Sequence, residues 1–285
     1  MLKNTFCHIP GISPAVEQRL WFAGIDCWDA ALKANSITLP RRAPASLSEH
    51  LRESLAHLEN CNPQHFAASL KTNQHWRLFP EFRHTIAYLD IETTGLGYSD
   101  MITTIVIYDG QRLRHYVQGD NLHDFKRDIQ EYSTVVTYNG KSFDVPFIER
   151  FFHIKMNHAH IDLMHVLRSL GYRGGLKGCE RQLGLERKEL ADVDGFFAVL
   201  LWHEFKRKNN HRALETLLAY NATDVVNLEA LIVKAYNLKL LETPFCKSHQ
   251  IAAPTLPLIP FRADHETIQR LKRTTWGGFG YQRRY

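Results

Sequence analysis

Two acidic residues, Asp90 and Glu92, lie two positions apart in a run from His84 to Leu96 that otherwise has the apolar composition of a buried strand. In a β-strand successive side chains point to opposite faces, so both carboxylates project together while Leu89 and Ile91 pack on the other face. At about 4 Å and an effective dielectric constant near 20, their repulsion is on the order of 4 kcal/mol. A hard cation such as Mg²⁺ or Mn²⁺ would turn that repulsion into attraction. The pair therefore predicts a metal site or, as the simpler alternative, two solvated acids at a strand end.

Two later segments each present a further acid. The run Ser133 to Asp144 is typical of a β-branched strand, an Asn-Gly turn and a helix start that carries Asp144. Tyr220 and Asp224 are four residues apart in a strongly helical run, so they share one helical face. The sequence thus offers an acid near a sheet edge and an acid–phenol pair on a late helix.

Together these segments resemble the three exonuclease motifs of the DEDD superfamily, in its tyrosine-containing subclass. The motifs are Asp90-x-Glu92, Asn139-x4-Asp144 and Tyr220-x3-Asp224. Three longer stretches, at residues 138–146, 160–165 and 220–225, resemble the YprB-type branch of predicted RNase H-like exonucleases. The resemblance covers residues 80–235 and implies an α/β fold, with an RNase H-like mixed sheet flanked by helices.

The resemblance also implies a mechanism with two divalent ions, Mg²⁺ or Mn²⁺, about 3.5–4 Å apart. In such a site one ion activates a water and the other stabilises the leaving 3′ oxygen of a phosphodiester. By resemblance, Asp90 bridges the metals, Glu92 and Asp224 complete the nucleophile-side site, Asp144 belongs to the other side, and Tyr220 orients the attacking water.

Candidate substrate-binding residues lie in two turns. By resemblance, the turn after the first strand contacts the terminal nucleotide through Thr93, Thr94 and Leu96. In the second turn, Asn139 is expected to orient the carboxylates, and Asn139 and Lys141 are expected to contact the substrate.

Asp162 is the ambiguous acid of the chain. It follows a short β-like stretch and precedes an apolar helix. We expect it to cap that helix, with metal binding as the open alternative.

Composition sets broad limits. A hydrophobic share of 44% and a charged share of 23% are those of an ordinary globular protein. The absence of an 18-residue apolar run and of a signal-peptide core predicts a cytoplasmic protein with no membrane partner. The net charge of +5 is compatible with a nucleic-acid partner, and protein partners stay open.

The pattern predicts three regions. Residues 1–78 are helical, and residues 9–25 resemble a helix-hairpin-helix element whose turn amides contact a DNA phosphate, although Ser13 stands where a second glycine is usual. A helical packing module without nucleic-acid contact is the alternative. By resemblance, residues 79–240 are expected to form an RNase H-like exonuclease domain. Residues 241–285 form a basic, aromatic tail that either binds single strands or anchors the chain end.

Within the central region we expect an antiparallel meander of three strands and then, after a helix at 122–131, a parallel fourth strand. The strands are Thr85 to Ile91, Ile102 to Tyr108, Arg112 to Val117 and Thr134 to Tyr138. The function that the resemblance implies is a metal-dependent exonuclease that degrades single-stranded DNA or RNA from 3′ to 5′. The alternatives are a nucleic-acid-binding protein of the same fold without turnover and a structure-specific endonuclease.

Overall fold

The computed structural model describes residues 1–34, 36–43, 46–185, 187, 190 and 193–278. Its strands are β1 Ile86–Thr93, β2 Ile102–Tyr108, β3 Leu113–Val117, β4 Thr134–Thr137 and β5 Ala159–Asp162. They form one sheet in the order β3-β2-β1-β4-β5. The first three strands are antiparallel neighbours, whereas β4 runs parallel to both β1 and β5. The predicted meander with a parallel fourth strand, and the RNase H-like mixed sheet, are confirmed.

Helices surround this sheet. The α-helices are α1 Pro14–Phe22, α2 Trp28–Lys33, α3 Leu47–Glu59, α4 Pro63–Ser69, α5 Phe79–Phe82, α6 Phe125–Asp128, α7 Asp144–Phe152, α8 Leu163–Ser169, α9 Gly175–Gln182, α10 Gly195–Lys208, α11 His211–Leu240 and α12 His265–Gly278. Short 3₁₀ turns occupy Leu2–Asn4, Thr72–Leu78, Arg83–Thr85, Leu122–Asp124 and Ile129–Glu131.

The helix expected at 122–131 is instead the single turn α6 between two 3₁₀ turns. Leu122 and Phe125, three residues apart, are both buried against the sheet. A 3₁₀ turn places side chains at this spacing directly above each other, which favours the tighter geometry here.

The two faces of β1 pack against different helices. Tyr88 belongs to a buried cluster that includes Val225 of α11. Leu89, on the opposite face, packs with Phe125 of α6 and Phe147 of α7. Since side chains alternate along a strand, residues 90 and 92 share the face of Tyr88 and point towards α11.

The N-terminal helices share a buried cluster with the α11 face of the sheet. In the hairpin-like turn, Gly11 has φ +80°, and a Cβ there would lie 2.3 Å from the carbonyl oxygen of Arg42. The turn is thus covered by the backbone of a later segment. Ser13 caps α1 by accepting a hydrogen bond from the amide of Val16 at 3.3 Å. A nucleic-acid contact here stays a prediction.

Within the predicted tail 241–285, residues His265–Gly278 form α12, and side-chain contacts tie the tail to the rest of the chain. Phe261 packs edge-on against His115, with ring centroids 5.0 Å apart. On α12, Arg270 lies 2.6 Å from the buried carboxylate of Glu204 on α10. These contacts favour the anchoring alternative for residues 261–270. The predicted tail combines basic residues with the aromatic residues Phe261, Trp276, Phe279, Tyr281 and Tyr285, of which the last three lie outside the described residues.

Candidate metal and catalytic site

Asp90 and Glu92 lie on the face of β1 that α11 covers. Asp90 is opposite Val106 and Glu92 is opposite Thr104 on β2, and the register shifts directly after Glu92. Glu92 is only 9% exposed. The two carboxylates therefore project together, as the strand pattern predicts, and they do so where the regular ladder ends.

α11 presents Tyr220 and Asp224 to the same space, and each is 5% exposed. Carboxylate oxygens of Asp90, Glu92 and Asp224 all lie within 4.8 Å of one another. We call these three residues the carboxylate trio. An all-oxygen donor set is what Mg²⁺ and Mn²⁺ prefer, so the trio fits a hard divalent cation.

Asp144 reaches β1 from the first position of α7 and is 4% exposed. Its Oδ1 accepts a hydrogen bond from the amide of Ile91 at 3.2 Å. This amide is available because the pairing of β4 with β1 ends at Tyr88 and Val136. Asp144 lies beside the carboxylate trio but outside the set whose oxygens are all within 4.8 Å.

Asn221 fixes the orientation of Asp90. Its Nδ2 donates to Asp90 Oδ2 at 2.6 Å, and its Oδ1 accepts from Thr104 Oγ1 at 3.1 Å. Asn221 has no exposed surface. Asn221 was not among the residues predicted from the sequence, although it precedes Asp224 by three positions on α11 and therefore lies on the same helical face.

Burial and mutual repulsion raise the pKa values of the clustered acids. Desolvation raises the pKa of Asp90 well above its usual range, and the charges of Asp144 and Asp224 raise it further. Burial raises the pKa of Asp144 to about 7 and that of Asp224 to about 6, although Arg187 lowers the latter. Burial and Asp224 also raise the pKa of Tyr220, so its phenol stays protonated. The metal-free site thus retains protons near neutrality that a bound cation would displace.

A buried ion-pair network supports Asp224. Arg187 donates from Nη1 to Asp224 and from Nε to Glu180 on α9. Glu180, which has no exposed surface, accepts a further hydrogen bond from Asn227 Nδ2 at 2.8 Å. Because Asn227 follows Asp224 by three positions on α11, the network starts and ends on one helix. Arg187 and Glu180, which no sequence motif indicated, thus hold Asp224 in position.

Lys177 is a second cation at the site. It lies on α9, and its ammonium is 5.1 Å from the centre of the Tyr220 ring. Burial and Arg187 lower the pKa of Lys177, while Asp224 raises it. Neither cation was a candidate from sequence, because both lie between the second and third motifs with no spacing relation to either.

Asp162 has the capping role expected from its position. Its Oδ1 accepts from the amide of Met164, at 3.0 Å, in the first turn of α8. The same carboxylate accepts from the amides of Asn139 and Lys141, at 2.8 and 3.1 Å. Asn139 adopts a left-handed conformation with φ 62°. Asp162 therefore holds the second predicted turn through backbone amides, and the substrate contacts of Asn139 and Lys141 stay predictions.

The turn between β1 and β2 closes on itself. Thr93 Oγ1 donates to the carbonyl of Gly95 at 2.7 Å, and Thr94 Oγ1 donates to Asp100 Oδ1 at 2.8 Å. Leu96 projects from the turn and is 87% exposed. The two hydroxyls thus maintain the shape of the turn, and Leu96 is the candidate substrate-binding residue that the turn presents to solvent.

The family assignment follows from a comparison with protein-family models. A model of the RNase H superfamily, RNase_H_2, matches residues 87–236. This span contains the carboxylate trio, Asp144 and Tyr220. The chain belongs to the RNase H superfamily.

A curated relative points to a narrower group. The chain is 26% identical over 227 residues to the uncharacterized protein YprB of Bacillus subtilis (strain 168), and the match covers 67% of this chain and 51% of the relative. This chain therefore spans about half the length of that relative, and the predicted RNase H-like, YprB-like character is confirmed. Among solved structures, the family B DNA polymerase of the hyperthermophilic archaeon Pyrobaculum calidifontis matches with a TM-score of 0.41 and 16% identity, over 55% of this chain and 24% of the polymerase.

Across the residues that the structure describes, no helix combines the length and the apolar character needed to span a membrane.

Proposed function

We propose that this chain is a metal-dependent exonuclease that hydrolyses phosphodiester bonds of single-stranded DNA or RNA from the 3′ end. The observation that carries the proposal is the convergence of the carboxylate trio within 4.8 Å, on elements far apart in the sequence. Membership of the RNase H superfamily supports a nuclease-type reaction at this place.

The proposed chemistry assigns each group a role. The trio and Asp144 would hold two divalent ions, with Asp90 shared, and bound ions would supply an activated water and stabilise the leaving 3′ oxygen. Asn221 keeps the Asp90 carboxylate aimed into the site through its 2.6 Å hydrogen bond. The protonated hydroxyl of Tyr220 is available to hold the attacking water by a hydrogen bond.

The test is a cleavage assay on 5′-labelled and 3′-labelled single- and double-stranded DNA and RNA, with Mn²⁺ or Mg²⁺ and with EDTA. Exonuclease action from the 3′ end predicts a ladder of shortening 5′-labelled products and early release of the 3′ label, both abolished by EDTA. Asp90→Asn should abolish cleavage, while Asp120→Asn, which changes an exposed carboxylate, should have no effect.

Two outcomes would favour the alternatives. Cleavage of a circular single strand would identify an endonuclease. Binding of single strands without cleavage in any metal would identify a nucleic-acid-binding protein. The ion pair between Arg187 and Asp224 favours this second candidate, because a guanidinium already binds one of the carboxylates that a metal would need.

A further inference from the structure

Arg187 has one N–H donor group, Nη2, that binds none of the residues the structure describes. The residue is 9% exposed, its Nε and Nη1 bind Glu180 and Asp224, and its Nη2 is buried without a hydrogen-bond partner among the described residues. A buried donor without a partner is destabilising, so a ligand that supplies an acceptor would be bound favourably. The centre of the guanidinium is 5.9 Å from the ring centre of Tyr220, which places Arg187 at the candidate catalytic site.

The charges of the site point to an anion as that ligand. Two divalent ions would balance the four ionised carboxylates of the trio and Asp144. Glu180 balances Arg187, and Lys177, which forms no ion pair within the described residues, is left with one positive charge near the Tyr220 ring. A phosphodiester carries one negative charge, so it would neutralise the loaded site.

We propose that Arg187 binds a backbone phosphate of the substrate beside the carboxylate trio, through its Nη2, while Glu180 and Asn227 hold the guanidinium in place. The planar guanidinium is suited to this double role because its donors are fixed in one plane and bond carboxylate and phosphate at the same time. The proposal rests on the proposed nuclease function, since it takes the phosphodiester next to the metal site as the ligand.

The test is a double-mutant cycle between Arg187 and the phosphate, measured as binding so that no turnover is needed. The probes are an oligodeoxythymidylate with ordinary phosphates and the same strand with an uncharged methylphosphonate at its 3′-terminal linkage, both with Ca²⁺ in place of Mg²⁺. Arg187→Gln is the main variant. Arg181→Gln is the matched control, because Arg181 is an exposed arginine next to Glu180 on α9. The double variant Arg187→Gln/Glu180→Gln avoids leaving a buried Glu180 without its partner.

Arg187→Gln, alone and with Glu180→Gln, should weaken binding of the ordinary strand by about tenfold, the loss typical of one hydrogen bond between charged groups. The plot of log affinity against log salt should become shallower by about 0.7. The methylphosphonate strand should bind wild type and both variants equally, and Arg181→Gln should bind both strands as wild type does.

Equal losses of affinity for the two strands would overturn the proposal. Arg187 would then affect binding only through the structure of the protein and not through a contact with the phosphate. Failure of the wild type to bind the ordinary strand would overturn it as well. If the cycle gives the expected coupling but the wild type does not cleave in Mn²⁺, the phosphate contact stands and the nuclease proposal alone is refuted.

Discussion

Asp144→Asn should stabilise the metal-free protein at neutral and alkaline pH. Asp144 is 4% exposed, and burial raises its pKa from 3.8 to about 7. Asn has nearly the same shape, carries no charge at any pH, and can still accept the hydrogen bond from Ile91 through its Oδ1. The variant therefore removes a buried charge and keeps the packing of α7 on β1.

The sign and size of the effect follow from proton linkage. Because the pKa is higher in the folded than in the unfolded state, the stability that protonated Asp144 contributes is fully present below pH 3.8 and is lost as pH rises through 7. A shift of about 3 pKa units corresponds to on the order of 4 kcal/mol. The variant should thus match the wild type near pH 4 and exceed its unfolding free energy by up to about 4 kcal/mol at pH 8.

Urea unfolding in EDTA at a series of pH values between 4 and 8 measures this difference. Asp120→Asn, which removes an exposed charge, is the control and should show no comparable pH-dependent gain. With Mg²⁺ the wild type should become more stable than Asp144→Asn, because metal binding stabilises the folded wild type and is weaker in the variant. A gain that does not change with pH, or a loss of stability at pH 8, would refute the argument that Asp144 is a destabilising buried charge.

Three further predictions concern activity, metal binding and the C-terminal helix. Asp90→Ala should abolish cleavage with an unchanged circular dichroism spectrum, and Tyr220→Phe should be the milder lesion because it removes a hydroxyl and no metal ligand. Millimolar Mn²⁺ or Mg²⁺ should raise Tm, by the equivalent of about 2.7 kcal/mol at a hundred times Kd, and Asp224→Asn should shrink that shift. Truncation before Arg270 removes its ion pair with Glu204 and should lower Tm while the salt dependence of single-strand binding is unchanged; a shallower salt dependence would instead indicate that the removed segment contacts phosphates.

The parts of the site that local periodicity encodes were predictable from sequence. The two-residue spacing of Asp90 and Glu92 and the four-residue spacing of Tyr220 and Asp224 correspond to one face of a strand and one face of a helix. Capping by Asp162 was equally local, because a carboxylate before an apolar helix satisfies the amides of its first turn.

The parts that depend on contacts between distant segments were not predictable. Thr104 and Asn221, which fix Asp90, are 117 residues apart, and Arg187 is 37 residues from Asp224. No period links such pairs, and their types are common in unrelated surroundings. The capping role of Asp162 was predictable because it is local. Its hydrogen bond from the amide of Asn139, 23 residues away, was not predictable.

Sheet topology explains why the first two motifs and Asp162 meet even though they are far apart in the sequence. β1, β4 and β5 are parallel, so their carboxyl ends lie at one edge, where open α/β sheets bind ligands. β1 ends there with Asp90 and Glu92, β4 leads into the turn before Asp144, and β5 ends at Asp162. The early divergence of β4 from β1 releases the Ile91 amide that Asp144 then binds. If β4 continued to pair with β1, that amide would belong to the ladder and Asp144 would lose the contact that holds it beside the trio, so the short length of β4 is itself a requirement of the site.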